Sequence, residues 1–267
     1  MSEINLRNYQ IEAIMEIYKA WIHKKNVLLQ MPTGAGKTII FLELLKKELG
    51  KKILIVAHRK ELLDQPYKKL LKMGIKSGLI YSDINPNPEL DIQIASIQTL
   101  NRRNYPEADL VIIDEAHHTK AKSYQKLFEY YSKARILGVT ATVWRLDGEG
   151  FEDLFSHLIC GPKISKLIKE NWLCKVRHLA ISIPKVEKVT TSNGDYDLAA
   201  LCKIVQETTP NTSLVEAYLK YALGKKTVVF CCTIEHSKAI CLEFQRAGYK
   251  AAHIDLSLIH IYHLRMI

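Results

Sequence analysis

Apolar residues along the chain fall into short unbroken runs separated by stretches of helical periodicity. Ile11, Ile14, Tyr18 and Trp21 recur at helical spacing, and residues 26–31 then read as a buried strand. The pattern predicts a helix over 36–49, a second strand over 53–57 and a further helix marked by Leu62, Leu63, Leu70 and Leu71. Residues 92–96, 110–114 and 136–140 are three more short apolar strands. Runs without polar alternation belong to strands buried on both faces. Their alternation with helices predicts βαβ units, an α/β fold with a parallel sheet sandwiched by helices. Such sheets bind ligands at the carboxyl ends of their strands.

A second region is predicted to begin near Gly161, giving domains of 1–160 and 161–255. In it the pattern predicts a helix over 164–170, a strand over 176–183 and a polar loop over 184–197 containing Asn193-Gly194-Asp195. Helices over 214–223 and 235–247 and strands over 227–231 and 251–254 then begin another βαβ pattern. The strands of this region are too few for a self-standing α/β domain. Residues 256–267 do not continue the pattern: Leu256-Ser257-Leu258-Ile259-His260-Ile261 resembles a translated sequencing adapter, and the segment is expected to be a non-native tail.

The 267 residues carry 38 Lys+Arg against 28 Asp+Glu, a net charge of +10 that suits a polyanionic partner. Neither a run of 18 apolar residues nor a signal-peptide pattern occurs, so a cytoplasmic location without membrane contact is expected. Cys160, Cys174, Cys202, Cys231, Cys232 and Cys241 form no C-x-x-C pair, which argues against a zinc knuckle and for reduced, packed thiols. Trp144 and Trp172 are expected to pack in the interior rather than to stack on bases.

The strongest local signal is Met31-Pro32-Thr33-Gly34-Ala35-Gly36-Lys37-Thr38, placed after a strand and at the start of a helix. Gly34 and Gly36 allow the backbone to curl until successive N–H groups face phosphate oxygens, and the helix start adds partial positive charge. Lys37 would reach the β and γ phosphates, and the Thr38 hydroxyl would ligate Mg²⁺. The strict phosphate-loop pattern has glycine where Met31 stands, so this loop is a variant. Downstream, the apolar strand Val111-Ile112-Ile113 runs into Asp114-Glu115-Ala116-His117-His118. Opposite a phosphate loop, Asp114 fits the second Mg²⁺ holder and Glu115 the base that orients and deprotonates the attacking water. His117 is positioned to sense the nucleotide and pass its state onward.

Together these segments resemble the superfamily 2 helicases of the DEAD/DEAH group, over roughly residues 6–255. The resemblance implies a RecA-like P-loop NTPase domain followed by an incomplete second RecA-like domain, with ATP and Mg²⁺ as cofactors. Leu6-Arg7-Asn8-Tyr9-Gln10 is similar to the adenine-recognising Q motif, implying base contacts for Arg7 and Gln10 beside the phosphate contacts of Thr33 to Thr38. The segment from Ala57-His58-Arg59 to Gln65 resembles motif Ia, and Ala95-Ser96-Ile97-Gln98-Thr99 resembles motif Ib. By that resemblance Arg59, Ser96, Gln98 and Thr99 would face nucleic acid. Thr140-Ala141-Thr142 resembles motif III, which couples hydrolysis to domain movement. Val143 stands where the family has proline, while Arg145 and Asp147-Gly148 match the branch containing XPB, RadD-like proteins and type I or III restriction motors. Thr227 to Cys231 with Glu235-His236-Ser237 resembles motif IV, and Gly194-Asp195-Tyr196-Asp197-Leu198 is similar to RadD-like chains.

No segment matches motifs V and VI. Motif VI supplies arginine fingers worth about 10³–10⁵ in rate, so slow hydrolysis is expected of these residues alone. The implied function is an ATP-dependent helicase or translocase, on DNA with RNA also possible, in a DNA-repair setting. A restriction-system motor and a non-catalytic fragment are the alternatives.

Overall fold

The structure, a computed structural model, describes residues 5–58, 63–80, 87, 89–119, 122–143, 150–179, 191–192, 195–196 and 211–255. Arg59, Trp144, Arg145 and the tail over 256–267 lie outside the described residues. The chain divides into two compact units, Met1–Lys175 and Val176–Ile267.

The first unit is built on a seven-stranded sheet: β1 (Asn26–Gln30), β2 (Ile53–Ala57), β3 (Gly78–Ile80), β4 (Ile92–Ser96), β5 (Leu110–Asp114), β6 (Arg135–Thr140) and β7 (His157–Cys160). The order is β3-β4-β2-β5-β6-β1-β7, and every pairing is parallel. The side chains alternate between two cores. Val27, Leu29, Ile53, Ile55, Ile92, Ile94 and Ile112 join one face with Ile14 and Ile17 of α1 (Asn8–Trp21), Phe41 and Leu44 of α2 (Lys37–Lys47) and Leu70 of α3 (Asp64–Lys72). Leu28, Leu54, Val56, Val111 and Ile113 join the other with Leu100 of α4 (Ile97–Leu100) and Tyr124 and Leu127 of α5 (Lys122–Tyr130). Strands covered on both sides need apolar residues at every position, which is why they read as unbroken runs.

The unit reaches past the boundary expected at Gly161. Helix α6 (Ile164–Lys169) belongs to it because Leu167 is fully buried in its first core, with Leu173 packed alongside. Gly161 also serves this unit. A Cβ there would lie 2.1 Å from Met31 Sδ and 2.9 Å from the Gln30 carbonyl oxygen, and Met31 is fully buried.

In the second unit, Thr191–Ser192 (β8) and Asp195–Tyr196 (β9) pair antiparallel, so part of the stretch over 184–197 that was expected to be a loop is a short strand pair. Helices α7 (Asn211–Tyr221) and α8 (Ile234–Arg246) enclose a small core of Val215, Ile240 and Phe244. The strands expected over 227–231 and 251–254 do not form, nor does one over the described part of 176–183. A strand exists only as part of a ladder, and these segments have no partner strand among the described residues: Val228 is 77% exposed and Phe230 94%. Among the described residues no helix is long and apolar enough to cross a membrane. The five described cysteines are free, and Cys160 and Cys174 are exposed rather than packed.

Candidate nucleotide site

The loop after β1 closes on itself through the Ala35 N–H, which donates to the Pro32 carbonyl at 3.1 Å. Gly34 (φ 82°) and Gly36 (φ 85°) take left-handed backbone, and Gly36 caps α2. Both glycines are also held by close approach: a Cβ on Gly34 would meet Leu173 at 2.9 Å, and one on Gly36 would meet Gln10 Nε2 at 2.5 Å. Ala35 is buried, while Thr33 and Gly34 are exposed and Lys37 and Thr38 half-exposed at the mouth of the loop. Lys37 Nζ donates to the Met31 carbonyl at 3.4 Å, folded back over its own loop. The first turn of α2 thus presents N–H groups, an ammonium and a hydroxyl at one spot, the chemistry of an anion site.

Thr140, at the end of β6, joins this loop to the acidic strand end. Its carbonyl accepts the Met31 N–H at 2.9 Å, and its side-chain oxygen lies 3.1 Å from His117 Nδ1. The Thr140 hydroxyl lies 2.9 Å from the Thr142 carbonyl, to which it donates, leaving its oxygen free to accept from a protonated His117 Nδ1. Burial, with the charges of His58 and Lys37, holds the His117 pKa below its ordinary value, consistent with a neutral ring. Nδ1 also lies 3.3 Å from Glu115 Oε2. Ala141 is tied to β1 by Gln30 Nε2, which donates to its carbonyl at 3.0 Å.

Asp114 Oδ1 accepts the Glu115 N–H at 3.0 Å. Desolvation, then the neighbouring Glu115 charge, pushes the Asp114 carboxyl above its ordinary 3.8, while the hydrogen bond from the Glu115 N–H and the charge of Lys37 act in the opposite direction. A partly buried carboxylate next to a second one favours a cation. Mg²⁺ takes one or two protein oxygens and completes its shell with water and phosphate, so the Thr38 hydroxyl and Asp114 fit it. No larger ligand cluster of His, Cys, Asp and Glu occurs among the described residues. Glu115 has left-handed backbone (φ 52°), a sparsely populated conformation for a residue with a side chain.

Two features were missed in the sequence. His58, at the end of β2, stacks on His118 with ring centroids 3.9 Å apart and planes 19° apart, joining the motif Ia segment to the acidic one. Trp172, expected in the interior, is 44% exposed and lies over the Arg7 guanidinium, 4.3 Å from Cζ to ring centroid. Arg7 Nη1 donates to Tyr9 Oη at 2.8 Å, and that hydroxyl donates to the Ala35 carbonyl at 3.1 Å. A cavity of 680 Å³ opens here, with Asn5, Arg7, Tyr9, Glu12, Lys166 and Trp172 on its walls. Gln10 is buried: its Oε1 accepts the Arg7 N–H at 3.0 Å and its Nε2 donates to the Ala35 carbonyl at 3.1 Å. It supports the loop, and Arg7 is the member of the pair that lines the cavity.

On the motif Ib segment, Ser96 is buried and accepts the Thr99 N–H at 3.2 Å as the cap of α4, so its hydroxyl is engaged internally. Gln98 is exposed and Thr99 half-exposed.

A glycine loop on one parallel strand, an acidic pair on another and a threonine on the strand between them define a RecA-like P-loop NTPase domain. Residues 3–145 match the family described as type III restriction enzyme, res subunit, and the chain belongs to that family, in the restriction-motor and XPB branch of the superfamily 2 helicases. It is 32% identical over 232 residues to a 51.5 kDa protein of Lactococcus phage (isolate 7-9), covering 85% of this chain and 48% of the relative. It is 28% identical over 194 residues to the DNA 3'-5' translocase XPB2 of Sulfurisphaera tokodaii, covering 70% and 42%. A solved structure of the type ISP restriction-modification enzyme LlaGI, a nuclease-deletion mutant bound to a DNA substrate mimic, aligns with a TM-score of 0.51 at 15% identity, covering 98% of this chain and 31% of that one. The chain spans about half the length of the curated relatives it matches.

Proposed function

We propose that this chain forms the ATP-binding part of a helicase or translocase that moves along nucleic acid, DNA first of all. The observation that carries the reading is Thr140, whose backbone holds the phosphate loop while its side chain holds His117 of the acidic segment. Lys37 and the loop N–H groups bind the triphosphate, and Thr38 and Asp114 would hold Mg²⁺, which would supply charge neutralisation at the phosphates. Glu115 orients a water and takes its proton as the water oxygen attacks the γ phosphorus and the diphosphate leaves. His117 and Thr140 carry the change in occupancy to the 140–142 segment. Support for a nucleic-acid track comes from the charge of +10, from Gln98 and Thr99 at the surface and from the translocase named among the relatives. The family description favours, as a second reading, a motor in a restriction system.

Titration of Mg-ATP by calorimetry, with steady-state hydrolysis in the presence and absence of single-stranded DNA, single-stranded RNA and duplex, tests the reading. Lys37→Ala is expected to abolish nucleotide binding, and Glu115→Gln to retain binding while losing at least about a hundredfold in turnover. Unchanged binding in Lys37→Ala would overturn the assignment.

A further inference from the structure

The 680 Å³ cavity beside the phosphate loop is larger than a nucleobase needs, and one wall is a planar cation with contacts to Trp172 and Tyr9. Arg7 has its guanidinium covered on one side by the Trp172 ring at 4.3 Å, and its Nη1 is bonded to Tyr9 at 2.8 Å. Such an arrangement leaves the opposite side of the guanidinium as a flat, weakly hydrated stacking surface.

Trp172 is itself fixed by the chain. Helix α6 ends at Lys169 with Glu170 as its C-cap, and Asn171 takes left-handed backbone (φ 59°). The Trp172 N–H donates to the Leu167 carbonyl at 2.8 Å and the Asn171 N–H to the Ile168 carbonyl at 3.1 Å, the two bonds of a Schellman turn. The next residue, Leu173, packs against Gly34 of the phosphate loop, where an added Cβ would come within 2.9 Å of it. The turn after α6 therefore touches the phosphate end of the site through Leu173 and the cavity end through Trp172.

We infer that Trp172 is a positioning residue for the nucleobase: it holds Arg7 flat so that a purine stacks on the guanidinium's free face while the triphosphate lies on the loop. The inference rests on the nucleotide-site reading above and adds to it a residue outside the sequence motif. A purine supplies the broad π surface that a guanidinium plane stacks on, and the distance to the phosphates is set by the Arg7–Tyr9–Ala35 chain of hydrogen bonds.

The test separates base from phosphate. Calorimetric affinities are measured for Mg-ATP and for Mg-tripolyphosphate, which has no base, on the full chain and on Trp172→Ala and Trp172→Phe, each with a thermal melt to establish folding. Trp172→Ala is expected to weaken ATP about fivefold to tenfold and to leave tripolyphosphate within about twofold, with Trp172→Phe restoring most of the loss. Equal losses for the two ligands would mean that Trp172 merely supports the loop through Leu173, and undiminished ATP affinity would mean that it does nothing for the base; either overturns the inference. An unmutated chain that binds neither ligand overturns the nucleotide site itself, a result distinct from both.

Discussion

Asp114 ends β5 half-buried beside a second carboxylate, and its proton affinity follows from that position. Because desolvation and Glu115 raise its pKa, the ionised form is the one the fold disfavours. Its contribution to stability therefore falls as pH rises through the elevated value. Mg²⁺ binding has the opposite dependence, since metal and proton compete for the same oxygens. Mg-nucleotide affinity is expected to fall as pH drops toward the elevated value, approaching a decade per pH unit below it, as roughly one proton is displaced. Asp114→Asn should bind Mg-nucleotide weakly and without that slope. A titration series between neutral and mildly acidic pH checks both, and a wild-type slope retained by the variant would place the titrating group elsewhere. Burial, with a smaller contribution from the Asp114 charge, pushes the phenol of fully buried Tyr124 far above the ordinary range.

At the scale of elements, Glu48 is the tie between α1, α2 and β6. It follows α2 and is only 5% exposed. Tyr18 of α1 donates to it at 2.9 Å, Lys51 pairs with it closely, and Arg135 of β6 approaches to 3.8 Å. Burial alone would raise its pKa, but the hydrogen bonds from Lys51 and Tyr18 and the nearby charges hold it below the ordinary carboxylate value. The stabilisation is complete above the ordinary value and fades as pH falls through the depressed one. Glu48→Gln is expected to lower unfolding free energy by about 1–2 kcal/mol at neutral pH, with the difference from wild type shrinking in acid. Urea melts at neutral and acidic pH measure it, and a pH-independent difference would show that charge is not the cause. The elements themselves were unevenly legible. β2, β4 and β5 have the bounds read from the sequence, because strands buried on both faces must be continuous apolar runs. β3 and β7 were missed: they are edge strands, and β7 exposes three of its four residues, so neither leaves that signature.

For the whole molecule, the first unit has two extensive cores on opposite faces of its sheet, and the second, among the described residues, has a core of three buried apolar side chains. Local opening free energy follows buried apolar contact, so amides of α7 and α8 are expected to exchange at least about tenfold faster than those of α2. Hydrogen exchange by mass spectrometry decides it, and equal protection would mean that the second unit is stabilised by something other than its own core. The site shows the same division between local and distant signals. Lys37, Thr38, Asp114 and Glu115 stood out as candidates because their proposed chemistry demands fixed spacing after a strand. Trp172, Gln10's inward turn and the His58–His118 stack depend on segments that meet only after folding, and no spacing rule reports them. Ser96 was read as a surface contact because a motif names positions but not which way a hydroxyl is engaged.

Met31 stands where the strict loop pattern has glycine, and the glycine required by local crowding is found on the neighbouring strand's exit, at Gly161 just after β7. The thioether fills what a side chain at 161 would need. Among relatives of this chain the two positions should change together, and an engineer restoring glycine at 31 would open a void in the core unless residue 161 grew to match it.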